Sequence, residues 1–146
     1  MAAGDITTNL RTYLLTISAV TDLLGTTTEI FPDALPQRGG YTLPAVVLHE
    51  ISGSDLRHLS GSADKGETTI QIDCWADNRD DGNALSEAVR KNIEHYAGAA
   101  GDDTIDHAYC INRRTFYEPP VDASEDGLYN HSRDYRIVHN LPAVST

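Results

Sequence analysis

Residues 69–78, TIQIDCWADN, alternate apolar and polar side chains with the period of a half-buried strand. Ile70, Ile72, Cys74 and Ala76 share one face; Thr69, Gln71, Asp73 and Trp75 share the other. The single tryptophan of the chain therefore falls on the polar face. Upstream, Ile6, Leu10, Leu14, Ile17, Val20 and Leu24 recur at helical spacing, with Tyr13 beside them. Asp5 is placed to cap this helix and Gly25 to stop it. Residues 29–44 hold three prolines and two adjacent glycines, and read as an irregular connection opened by a short strand at Glu29–Phe31. A strand follows at Ala45–Ile51, with Pro44 at its first position, where the missing N–H costs least. Its apolar start predicts cover on both faces.

Residues 52–67, SGSDLRHLSGSADKGE, read as a loop far longer than a two- to five-residue hairpin turn. A loop of that length is either a solvated surface segment or an arm that orders on a partner, and the partner-contact candidates in it are Asp55, Leu56, Arg57, His58 and Leu59. After the 69–78 strand, Asp80 or Asp81 opens a second helix with Ala84, Leu85, Ala88, Val89, Ile93 and Tyr96 as its apolar stripe and Gly98 as its stop. Residues 97–106, AGAAGDDTID, read as a mobile acidic turn. Two last strands, about Tyr109–Tyr117 and Tyr129–His139, flank the loop EPPVDASEDG. This order predicts one α+β domain over residues 1–146: a mostly antiparallel sheet of about four strands, two helices packed on one face, and long inter-strand loops.

Charge narrows the function. The chain has 22 acids against 11 bases, a net charge of −11, so it lacks the basic face that a phosphate-binding protein of the usual kind needs. An acidic wall is compatible with letting DNA slide past without sticking; genome composition or a salty host accounts for the acidity equally well. No apolar run is long enough to span a membrane. The N-terminus lacks the basic and apolar segments of a signal peptide, which predicts a cytoplasmic origin. Cys74 and Cys110 have no metal or redox spacing and are expected as free thiols, with a cross-strand disulfide as the lesser alternative.

Catalytic signatures are missing: no G-x-S-x-G, no glycine-rich phosphate loop, no H-E-x-x-H and no zinc spacing. No metal or cofactor is expected. Asp102, Asp103, Asp106 and His107 could hold a cation but read more simply as a solvated turn. What stands out is arginine and aromatic content on strand faces expected to be wet. Trp75 and Asp73, Arg113 and Arg114, Arg133, Asp134 and Arg136 are the candidates for a subunit or ring interface, because Trp and Arg are enriched where interfaces carry their energy. Cover of Trp75 by loops of the same chain is the competing reading.

The helix ending TDLLGTTTEIFPDALPQ, the strand LPAVVLHEISG, the strand TIQIDCWAD, the helix ALSEAVRKNI and the closing RDYRIVHN together resemble the tail-completion or tail-terminator family of long-tailed phages and gene transfer agents. The resemblance runs from about residue 6 to about residue 140 and rests on strand and helix pattern. It implies a structural virion protein, not an enzyme: a homo-oligomer, expected as a hexameric ring, on the end of the tail tube. Such a ring stops tube polymerisation and meets the head connector or stopper protein, and DNA passes its lumen unbound. It implies assembly in a host cytoplasm and residence at the tail or neck of a virion. A stopper at the same junction is an alternative, as is, from another class, a small ligand- or metal-binding enzyme using His49, Asp73 and His139.

Overall fold

The computed structural model describes residues 5–26, 28–36, 41–58, 61–119 and 127–140. The first helix, α1 (Ile6–Leu15), starts where Asp5 Oδ1 accepts the Thr8 backbone N–H at 2.7 Å. It does not run on to Leu24 as the spacing suggested. Thr16 bonds its hydroxyl back to the Tyr13 carbonyl, Ile17 turns extended, and a short α2 (Ser18–Thr21) restarts the coil. Two adjacent β-branched residues are poor at carrying a helix onward, and a threonine that satisfies itself on the backbone offers a way out. The apolar periodicity survives the break, because Ile6, Leu10, Leu14, Val20 and Leu24 all remain buried in one core.

Six strands form one sheet, two more than expected: β1 (Ile30–Pro32), β2 (Ala45–His58), β3 (Gly61–Ala76), β4 (Gly98–Ala100), β5 (Asp103–Glu118) and β6 (Leu128–Asn140). Their order across the sheet is β1-β2-β3-β6-β5-β4. β1 pairs parallel with β2; every other pair is antiparallel. The segment 52–67 is therefore not a loop. β2 and β3 continue through it as a long hairpin, paired as far as His58 and Gly61. Glycine and serine have low strand propensity, but a continuous antiparallel ladder overrides it. The presumed acidic turn is also ordered, as the β4–β5 hairpin. Gly101 takes a left-handed φ of +55° against Asn9, and Asn9 accepts from the Asp102 N–H and donates to buried Asp103. That ties α1 to the turn.

The helix α3 (Arg79–Ile93) is capped by Asn78, whose Oδ1 accepts the Asp81 N–H at 2.8 Å, not by Asp80 or Asp81. Those two acids sit in the first turn and Arg90 and Lys91 in the last, the arrangement the helix dipole favours. The helix ends at Ile93, before Gly98. Leu85, Val89 and Ile93 pack with α1 and with Val46, Leu48, Ile70, Ile72, Cys74, Tyr135 and Ile137 into one core on one side of the sheet. Stacked Tyr13 and Tyr96 rings, 4.2 Å apart, add a contact at its margin. Ala45, Val46, Val47 and Leu48 are all buried, so the start of β2 is covered on both faces as its sequence indicated. Among the described residues, no helix is long and apolar enough to cross a membrane.

Candidate functional site

Register places the residues of the sheet face turned away from the helices, the open face, which is buried where Ala45, Val47, Asp73, Asn130 and Ser132 meet. Trp75 lies between Ala45 on β2 and Asn130 on β6; Asp73 between Val47 and Ser132; Gln71 between His49 and Asp134; Thr69 between Ser52 and Arg136. On β5, Phe116 pairs with Asn130, Arg114 with Ser132 and Asn112 with Asp134. Trp75 is half-buried within the single chain, so its side is neither bare nor fully covered.

A polar chain runs across this face. Arg114 grips Asp134 two ways, both at 3.1 Å, and donates to Gln71 Oε1 at 2.8 Å; Gln71 in turn donates to Asp73 Oδ1 at 2.9 Å. The bidentate carboxylate raises the affinity of Arg114 for its proton further. Arg136 pairs with Glu67 at 3.0 Å. The carboxylates these arginines meet are thus supplied by the same chain. Asn130 Oδ1 and Ser132 Oγ, both buried, have no hydrogen-bond partner among the described residues.

Arg113 and Arg133 lie on the helix side. A cleft of about 380 Å³ opens there between α3 and the β5–β6 pair, lined by Arg79, Asn83, Ser86, Arg113, His131 and Arg133 among others. Arg133 is nearly buried, donating to Ser86 Oγ at 3.0 Å and to Glu87 Oε1 at 2.6 Å. Glu87 is also held by Arg90, and this first, then Arg133, lowers its pKa below the usual carboxylate range. Burial pushes His131 toward its neutral form, and its Nε2 lacks a partner among the described residues. Burial also holds Cys74 as a thiol, raising its pKa far above the usual value, and both cysteines are free.

Of the candidate interface set, then, Trp75, Asp73, Arg114, Asp134 and Arg136 share the face turned away from the helices, where Asp73 is buried between Val47 and Ser132, while Arg113 and Arg133 lie on the helix side; Arg113, Arg114 and Arg133 all line the cleft. Asp55, Leu56, Arg57 and His58 lie on the β2 arm, and Leu59 lies outside the described residues, as does most of the 118–127 loop. His49, Asp73 and His139 are not brought together. The first two are on the open face, whereas His139 is buried on the helix side between Thr68, at 2.8 Å, and Asp103. Asp102, Asp103, Asp106 and His107 do not converge either: Asp103 turns to Asn9 and His139, and Asp106 to Lys65 at 2.7 Å. Among the described residues no group of three or more His, Cys, Asp or Glu is set to hold a metal.

Sequence reasoning missed the edges of the sheet. β1 covers β2 only at Val46–Leu48, and β4 covers β5 only at Asp103–Ile105. The rest of both strands has a strand partner on one side alone among the described residues. Ile51 on β2 and Ile111, Phe116 and Tyr117 on β5 stand exposed there. The signal was present in the strand lengths, had 52–58 been read as strand.

No curated protein matches the chain. A solved structure described as the virion of a native gene transfer agent (GTA) particle contains a chain of the same fold, with a TM-score of 0.64 at 10% identity. The superposition covers 94% of this chain and 99% of that one. A family model described as tail completion protein gp17 matches residues 8–140, nearly the whole described fold. The chain belongs to the tail completion protein gp17 family.

Proposed function

We propose that this protein is a ring-forming tail terminator. It caps the finished tail tube, stops its polymerisation, and presents the surface that meets the head connector or stopper, with the genome passing through the lumen. The observation that carries this reading is the family match over residues 8–140. The fold shared with a chain of a gene transfer agent virion supports it. So does the geometry: a sheet with a long β2–β3 arm and open edges offers unpaired strands to other subunits. A net charge of −11 suits a ring through which DNA moves without being bound.

The test is negative-stain imaging of the purified protein mixed with its tail-tube protein. Tubes of defined length with a ring at one end are expected. Tubes that grow uncapped, with the protein found instead on isolated connectors, would move the assignment to a stopper at the same junction.

A further inference from the structure

Beyond the partial cover of β1 and β4, β2 has a free edge from His49 to His58 and β5 from Asp106 to Glu118. Each carries a bulge whose extra residue is an isoleucine: Ile51 between Glu50 and Ser52, and Ile111 between Cys110 and Asn112. A bulge re-aims the side chain it adds, and here both chains are aimed into solvent, Ile51 52% and Ile111 42% exposed. Phe116 and Tyr117 follow on the β5 edge; of the exposed large hydrophobics among the described residues, only Leu23 lies elsewhere. Proteins that stay monomeric blunt their edge strands with charge, proline or brevity. These edges are long, and each carries an isoleucine exposed to solvent.

We propose that the β2 edge of one copy pairs with the β5 edge of the next, so that the sheet continues from subunit to subunit with Ile51 and Ile111 at the junction. The inference rests on the ring assignment above and names how the ring is joined. Strand direction fits. Three antiparallel steps separate β2 from β5, so the two run oppositely within one sheet. A rotation about an axis along the strands preserves direction, and the junction is then antiparallel like those inside the sheet; with Ile51 opposite Ile111, His49–Leu56 lies against Asp106–Arg113, all beyond the cover of β1 and β4. The two edges differ, so the contact is heterologous and propagates until it closes. Charge also agrees: Glu50 on the β2 edge and Arg113 on the β5 edge are exposed and have no ion-pair partner among the described residues. Main-chain hydrogen bonds supply the pairing and the alternate side chains its register.

The experiment uses the full chain with Cys110→Ser, leaving only buried Cys74 as a native thiol. Ile51→Cys and Ile111→Cys are introduced singly and together, and a short bis-maleimide is added in the presence of tail tubes. The double variant is expected to give a ladder of covalent oligomers ending at the closed ring. Mixing the two single variants is expected to give dimers only, and each single variant alone none. Covalent dimers from either single variant alone would mean like edges meet and would overturn the proposal. Rings visible on tube ends without any cross-link would overturn edge pairing and leave the ring assignment standing. Neither rings nor cross-links would overturn both. In parallel, Ile51→Lys and Ile111→Lys are each expected to lower the fraction of capped tubes about tenfold or more with an unchanged melting temperature; unchanged capping would count against the proposal.

Discussion

At the scale of single residues, the tightest place is where α3 crosses β6. Gly82 lies against His131, and a methyl group built on it would come within 2.6 Å of the ring Cδ2 and 3.5 Å of the Ala76 methyl. Alanine is the better helix former by roughly 1 kcal/mol, but overpacking a fitted contact costs about 1–3 kcal/mol. The clash wins, so Gly82→Ala is expected to lower the melting temperature where helix propensity alone would raise it. A thermal melt decides the sign. His131 itself couples this contact to pH. Burial depresses its pKa, so the unfolded chain takes up a proton, below about pH 6.5, that the folded chain resists. The stability it confers is full above that pH and is lost as pH falls toward the depressed folded value. Melting temperature should drop between pH 7 and pH 5.5, and His131→Gln should flatten that part of the curve.

At the scale of elements, the β2–β3 arm divides fold from function. The buried apolar residues of its two strands are Ala45–Leu48 and Ile70–Ala76, with no apolar core residue between Ser52 and Glu67 among the described ones. Shortening the hairpin by matched deletions on both strands beyond Gly53 and Thr68 should leave the monomer folded, with a melting temperature within a few degrees of the intact protein. The same change should abolish capping of tail tubes in the imaging assay. Trp75 belongs to the same division: on the open face and half-buried in one chain, it should, as Trp75→Ala, weaken ring formation more than folding, read as capped-tube fraction against melting temperature. Here lies the boundary of what the sequence disclosed. The two helical stripes, the alternation of β3 and the double cover of β2 were legible, because burial imposes its period directly on residue type. The arm was not, because Gly53, Ser54, Gly61 and Ser62 pair through backbone atoms that have no residue-type signature. The internal ion pairs of Arg114, Arg133 and Arg136 were hidden for a different reason: a pattern shows which face a charge occupies but not which strand brings its counter-ion.

At the scale of the whole molecule, the arginines found to be paired within the chain change what should hold copies together. Arg114, Arg133 and Arg136 each engage a carboxylate of their own subunit, which leaves few cations to bridge to a neighbour. In the proposed ring each copy would bring a net charge of −11, and like charges oppose closure over a range of about 10 Å at 0.1 M salt. One exposed Glu50–Arg113 pair per junction offsets little of this, since a surface ion pair contributes about 0–1 kcal/mol. In the proposed junction the attraction comes from the exposed isoleucines and backbone pairing, neither of which salt screens. Raising sodium chloride from about 50 mM to about 300 mM, across which the screening length shortens, should therefore increase the fraction of capped tubes. An interface built on arginine–carboxylate bridges between subunits would respond in the opposite direction, losing capped tubes as salt rises. Counting capped ends in a salt series, with the tube protein held constant and tube length measured alongside, separates the two. The same series on Ile51→Lys should show a smaller absolute gain, because screening removes repulsion but cannot replace the isoleucine contact of the proposed junction.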